Sequence, residues 1–183
     1  MKYLYLNGRA HIRKIAKDLD MQPITVSRIL KETEKQKIVA SAMEANLKYY
    51  SLNYSNFKTI GLLTWIENKR IMEIGLESLL LSLVGELKAV DVEFCIIYGS
   101  SIRGTARERS DIDIFFVSEA KNIAEICRRV SVLTGKDISP HVLSEKQFKK
   151  LLREEEAFVA NTILRPANRI FLLGLEKFLK LYV

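Results

Sequence analysis

The sequence predicts a two-domain protein of mixed class, α+β overall: a small helical N-terminal unit ending in a β-hairpin, then an α/β domain built on a mixed sheet. Three observations carry this. Two helical stretches within residues 11–36 are separated only by DMQP and are followed by two short β-prone runs. An apolar stripe at helical spacing fills residues 59–87. Beyond it, IIYGSSIRGTARERSDIDIFF (residues 96–116) sets two Ile- and Phe-rich runs around a Gly-Ser pair, with carboxylates at Asp111 and Asp113 in the second run.

The chain has 183 residues, 48% of them hydrophobic, and a mean hydropathy of +0.02. These values belong to folded chains and exclude disordered and collagen-like classes. The most lipophilic stretch, residues 71–84, is broken by Glu73 and Glu77 and falls short of the roughly 20 apolar residues of a membrane span. The start, MKYLYLNGRAHIRK, lacks the pattern of a signal peptide. The expectation is a cytoplasmic protein with no membrane partner. Cys95 and Cys127 sit in apolar surroundings without CxxC spacing, as reduced core residues do, and give no zinc site. Of the net charge of +7, residues 1–53 hold a disproportionate share, with ten Lys and Arg against five Asp and Glu. That asymmetry points to a polyanion as partner of the N-terminal third.

In that third, Ile12, Ile15, Ala16 and Leu19 keep helical spacing, and Val26, Ile29, Leu30 and Thr33 repeat it after a tight turn. Pro23 suits a first helical turn, with Gln22 as a weak cap. IVASAM and LKYYSLN, separated by EAN, predict a hairpin turning near Ala45 and Asn46. The segment IAKDLDMQPITVSRILKETEKQKIV with its following hairpin resembles the winged helix-turn-helix domains of prokaryotic regulators, over about residues 1–54, with a first helix squeezed into residues 2–7. The resemblance implies double-stranded DNA as partner. The second helix would turn Thr25, Ser27, Arg28 and Lys31 to the major groove, and Lys48 on the wing would meet phosphate. The alternative is a protein-contact or dimerisation module, in which these cations form a solvated face.

Residues 56–88 are expected to form a linking helix, bent at Gly61 or Gly75, whose apolar stripe serves as core or as the contact of a homodimer. The second domain then takes residues 89–183, with strands over residues 92–98 and 111–117 and a helical turn over residues 101–106 between them. Side chains alternate faces along a strand, so Asp111 and Asp113 share one face while Ile112 and Ile114 take the other. Two carboxylates side by side suit a hard divalent cation, Mg²⁺ or Mn²⁺. Gly99 and Ser100 form a tight turn whose backbone N–H groups can hold phosphate oxygens. Cation and phosphate together describe a nucleoside triphosphate site.

The run YGSSIRGTARERSDIDIFF resembles the signature of the DNA polymerase β-like nucleotidyltransferase superfamily, Gly-Ser followed about ten residues later by Asp-x-Asp, and the RG and SDID elements are similar to those of the minimal nucleotidyltransferases. The resemblance covers residues 88–144 well. It implies a nucleoside triphosphate donor, two Mg²⁺ ions, and loss of pyrophosphate as an acceptor oxygen attacks the α-phosphorus. Gly99 and Ser100 would then hold the triphosphate, and Asp111 and Asp113 the metal. Arg103 and Arg107 would either neutralise phosphate or pair with the aspartates. The acceptor, whether protein, RNA or small molecule, is not specified.

The departure from the family lies on the next strand, DISPHVLS, after a helix over residues 122–133. Active members carry a third carboxylate there, and its interior here offers Ser139, Pro140 and His141. Asp137 at its entrance and Glu145 beyond its exit are the available substitutes, with His141 as a base, a ligand or structural filling. Residues 144–182 read as further helices and a short strand that cap the sheet. The leading expectation is metal-dependent nucleotidyl transfer joined to DNA binding. The alternative is a DNA-binding regulator whose second domain has lost catalysis and senses nucleotide or dimerises.

Overall fold

The computed structural model describes residues 1–103 and 110–182, and the chain divides into two compact units, residues 1–64 and 65–182. In the first, α1 (Lys2–Asn7) leads into β1 (Ala10–His11), α2 (Ile12–Asp18) and α3 (Pro23–Lys35), followed by β2 (Val39–Glu44) and β3 (Leu47–Leu52). The strands form an antiparallel sheet in the order β1-β3-β2. The hairpin has the two-residue turn that its sequence predicts, with Glu44 opposite Leu47 and Ala45 at φ 50°. His11 caps α2 by accepting the Lys14 N–H at Nδ1, 3.2 Å away, whereas Gln22 gives α3 no side-chain cap. Leu4, Tyr5, Ile15, Val26, Leu30, Val39 and Tyr50 fill the core of this unit.

The expected linking helix is two helices, α4 (Phe57–Glu73) and α5 (Glu77–Leu87). The chain breaks at Gly75, whose φ of 65° lies in the left-handed region that favours glycine, while Gly61 stays inside α4. Asn56 ahead of α4 donates to the carbonyls of Gln36 and Lys37, and the buried Thr59 donates to that of Ile38.

The second unit is a four-stranded mixed sheet in the order β6-β5-β4-β7, made of β4 (Val92–Tyr98), β5 (Ile112–Ser118), β6 (Ile138–Leu143) and β7 (Arg169–Leu173). β5 and β6 are parallel and are joined through α7 (Ile123–Thr134); the other pairs are antiparallel. Alternation divides the sheet into two faces. Cys95, Ile97, Ile112, Ile114 and Phe116 pack with Leu79, Leu83 and Leu87 of α5 and with Ile126, Cys127 and Val130 of α7. Phe94, Phe115 and Phe171 lie on the opposite face with Phe148 of α8 (Glu145–Arg153) and Phe178 of α9 (Leu175–Tyr182), ring centroids 4.9–6.4 Å apart. Between these helices, residues 159–163 form a π-helical turn where the sequence predicts an ordinary helix.

Both edge strands are protected from further pairing. β6 carries Pro140, which removes a backbone donor. On β7, the Phe171 N–H donates to the buried Glu67 carboxylate of α4 at 3.3 Å. Glu67 also meets Arg70 at 3.2 Å and Arg169 at 3.7 Å, both buried guanidiniums, so the buried carboxylate has cationic partners where water cannot reach. Gly174 follows β7 at φ 74°, and a Cβ there would overlap the backbone of Glu93 and Phe94. Among the described residues no helix is long and apolar enough to cross a membrane. Cys95 and Cys127 are buried free thiols whose pKa burial pushes up, that of Cys127 to about 11.

Candidate functional site

The register of the sheet determines which of the predicted residues meet. Ile97 stands opposite Ile114, which sets Tyr98 opposite Asp113, and Asp113 pairs with Ser139 of β6 while Tyr98 pairs with Arg169 of β7. One row of side chains thus crosses all four strands: Ser139, Asp113, Tyr98, Arg169. Just past Tyr98 the chain turns at Gly99, φ 80°, into α6 (Ser100–Arg103).

The Asp113 carboxylate lies directly against this turn. A Cβ built on Gly99 would overlap Asp113 Oδ2 and stand 3.4 Å from its Cγ. Glycine suits the left-handed φ, and a side chain there would have to push the Asp113 carboxylate aside. Asp113 and Tyr98 are half-buried, and the Tyr98 phenol is pushed above its ordinary pKa, by burial first and by the Asp113 charge second.

Asp111 differs from expectation. β5 begins at Ile112, so Asp111 stands exposed just ahead of the strand, and strict alternation does not fix its side chain. The Ile112 N–H donates to the Asp137 carbonyl at 2.8 Å, which keeps the two strand entrances together. Asp137 is therefore beside the Asp111 end of the sheet. Glu145 is not: β6 runs parallel to β5, and Glu145 lies six residues past Ser139, about 20 Å along the strand. It pairs with Lys149 at 2.5 Å instead. In this register Glu145 does not stand in for the third acid. His141 rests on Phe115 and Phe158, with centroids 5.2 and 5.6 Å away. Among the described residues no three His, Cys, Asp or Glu side chains gather as metal ligands. The Arg103 side chain, Arg107 and the rest of the expected 101–106 turn beyond Arg103 lie outside the described residues.

Residues 84–171 match the polymerase beta nucleotidyltransferase family. The matched segment runs from within α5 to β7 and includes Gly99, Ser100, Asp111, Asp113 and Ser139, so the resemblance read from YGSSIRGTARERSDIDIFF is upheld at superfamily level. The mixed sheet is compatible with such a nucleotidyltransferase domain. No curated protein and no solved structure matches the chain. The N-terminal unit is outside the match.

In that unit, α3 turns Val26 and Leu30 to the core and leaves Ile24, Arg28, Lys31 and Lys35 exposed at helical intervals, with Thr25 and Ser27 half-exposed beside them. Lys35 continues the basic row and was legible from its spacing to Arg28 and Lys31. Lys48 is engaged: its ammonium sits 3.0 Å from Glu34, which also accepts from Ser41. The Ser41 hydroxyl and then Lys48 hold the Glu34 carboxyl below its usual range, and Glu34 raises the Lys48 ammonium. Sequence reasoning overlooked Tyr98, although a residue next to a Gly-Ser turn at the end of a buried strand is placed to face the carboxylate on the next one.

Replacing Gly99 with Ala should cost about 1–3 kcal/mol of stability from the left-handed backbone and displace the Asp113 carboxylate from the turn. In a thermal-shift titration the variant should still melt cooperatively, and any stabilisation that added Mg-ATP produces in the wild type should be lost in the variant. Full retention of that stabilisation would contradict the geometry.

Proposed function

We propose that the second unit is a metal-dependent nucleotidyltransferase that binds a nucleoside triphosphate at the Gly99-Ser100 turn. The observation that carries this reading is the contact of the Asp113 carboxylate with Gly99 inside the segment that matches the family. Carboxylates and phosphates repel, so placing one against a turn suited to the other makes sense when a cation lies between them. Asp111 and Asp113 would hold Mg²⁺ or Mn²⁺ as hard oxygen donors. When bound, the cation neutralises charge on the reacting phosphates.

In this reading the chain's own groups bind and orient. Gly99 lets the backbone approach the phosphates, Ser100 adds a hydroxyl, and Arg103 is a candidate counter-charge. Tyr98 stands opposite Asp113 across the β4–β5 pair, its phenol pushed above its ordinary pKa by burial first and by the Asp113 charge second. The acceptor oxygen attacks the α-phosphorus, its proton passes to a base, and pyrophosphate leaves. The register supplies no acid at the neighbouring position, because Ser139 stands beside Asp113. That observation favours a second reading, in which the domain binds nucleotide without efficient transfer and serves a DNA-binding regulator. Asp137 at the strand entrance is the remaining acid within reach of the Asp111 end.

The first unit we read as a winged helix-turn-helix module that places α3 in the major groove of duplex DNA. Its support is the exposed row Arg28, Lys31 and Lys35 on the face opposite Val26 and Leu30, together with the basic excess of residues 1–53.

Incubation with α-labelled ATP, Mg²⁺ and cell extract tests the enzyme reading. Without an acid at Ser139, labelling of any acceptor should be slow, and Ser139→Asp should raise it by up to the roughly 10²–10⁴ that general-base assistance supplies. Robust wild-type labelling unaffected by Asp113→Asn would refute the site. For DNA, duplex affinity of the full chain should fall steeply with salt, and Arg28→Ala with Lys31→Ala should lower the log–log slope by about 2. Salt-independent binding, or no binding at low salt, would assign the unit to protein contact instead.

A further inference from the structure

His141 has an unusual situation for a residue on an edge strand. It is exposed, yet its ring is fixed by aromatic contacts, edge-on to Phe115 at 85° and tilted 33° to Phe158. No hydrogen bond to its ring nitrogens occurs among the described residues. A histidine used for packing alone would be buried, and one used as a polar cap would have a partner. Here a planar polar ring has aromatic neighbours on two sides and belongs to an exposed residue.

Its position relates it to the triphosphate site. His141 pairs with Phe115, two residues along both strands from the Asp113–Ser139 pair and on the same face of the sheet. That offset is about 7 Å, a gap that a ribose and its 5′-methylene bridge between phosphate and base. The surface between is also aromatic, since Tyr98 beside Asp113 lies 5.2 Å from Phe158, which in turn touches His141. Phe158 is itself anchored, with the Glu156 carboxylate accepting its N–H at 2.8 Å and that of Val159 at 3.1 Å. An arc of three rings therefore leads from the carboxylate to an exposed imidazole.

We propose that His141, supported by Phe115 and Phe158, is the platform on which the nucleobase of the triphosphate stacks. Stacking on an aromatic face is tolerant of base identity and contributes binding without hydrogen-bond readout. The ring thus orients the nucleoside so that its α-phosphate reaches the Asp113 end of the row. The inference rests on the triphosphate reading of the Gly99–Asp113 site, and it assigns to His141 a role other than base, metal ligand or filling.

Calorimetric titration of the full chain with Mg-ATP and, separately, with Mg-tripolyphosphate distinguishes the two readings, because tripolyphosphate carries the phosphates without a base. His141 is exposed, so His141→Ala should fold as the wild type does. It should weaken ATP binding about tenfold or more and leave tripolyphosphate unchanged, while His141→Phe, which keeps a stacking face, should restore ATP binding to within about threefold. Unchanged ATP affinity in His141→Ala, equal loss for both ligands, or failure of His141→Phe to restore binding would each overturn the platform. Failure of the wild type to bind either ligand would overturn the triphosphate site and the platform with it, whereas tight tripolyphosphate binding with an indifferent His141 would overturn the platform alone.

Discussion

The second unit is organised around one close approach: the Asp113 carboxylate against the Cα of Gly99. It requires β4 and β5 to pair in the register that sets Tyr98 opposite Asp113, a left-handed residue immediately after β4, and no side chain at that residue. Each requirement is met by a different part of the sequence. The alternation of Ile112, Ile114 and Phe116 fixes which face of β5 is buried against α5 and α7, and Asp113 is thereby fixed to the other face. A one-residue slip of register would turn the carboxylate in among the leucines of α5, so the packing that stabilises the sheet also aims the acid.

The same face carries the aromatic cluster, which explains how a polar site and a core share one sheet surface. Phe94, Phe115, Phe148, Phe171 and Phe178 close the face toward one end of the strands, and the rings of Tyr98, Phe158 and His141 form the margin toward the acids. Arg169 ends the row that begins at Ser139, and it shares the Glu67 carboxylate with Arg70. Replacing Glu67 alone would leave two buried guanidiniums and an unsatisfied Phe171 N–H, the costly way to break such a cluster.

Much of this was legible in the sequence because it depends on local rules. The strand over Val92–Tyr98, the hairpin turn at Ala45 and Asn46, Pro23 at the start of α3 and the Gly-Ser-to-Asp-x-Asp spacing all follow from period, turn chemistry or motif. The break at Gly75 was not decided by pattern, since the apolar stripe continues through it and only the backbone conformation separates α4 from α5. The start of β5 at Ile112 depends on where β6 begins to pair. The exclusion of Glu145 depends on the parallel direction of β6, and the neighbours of His141 on the π-helical turn that brings Phe158 near; none of these is encoded within a short window. The relation of Tyr98 to Asp113 needed only register, and is the clearest case of information present but unread.

The account as a whole depends on Asp113 holding a cation together with the triphosphate, and Mn²⁺ reports this directly. Electron paramagnetic resonance of free Mn²⁺, titrated into the protein with and without a non-hydrolysable ATP analogue, measures how much ion the site removes from solution. The account predicts nucleotide-dependent Mn²⁺ binding by the wild type that is weakened at least about tenfold in Asp113→Asn, a substitution that keeps the shape of the side chain at Gly99. Equal Mn²⁺ binding by Asp113→Asn and the wild type would contradict it.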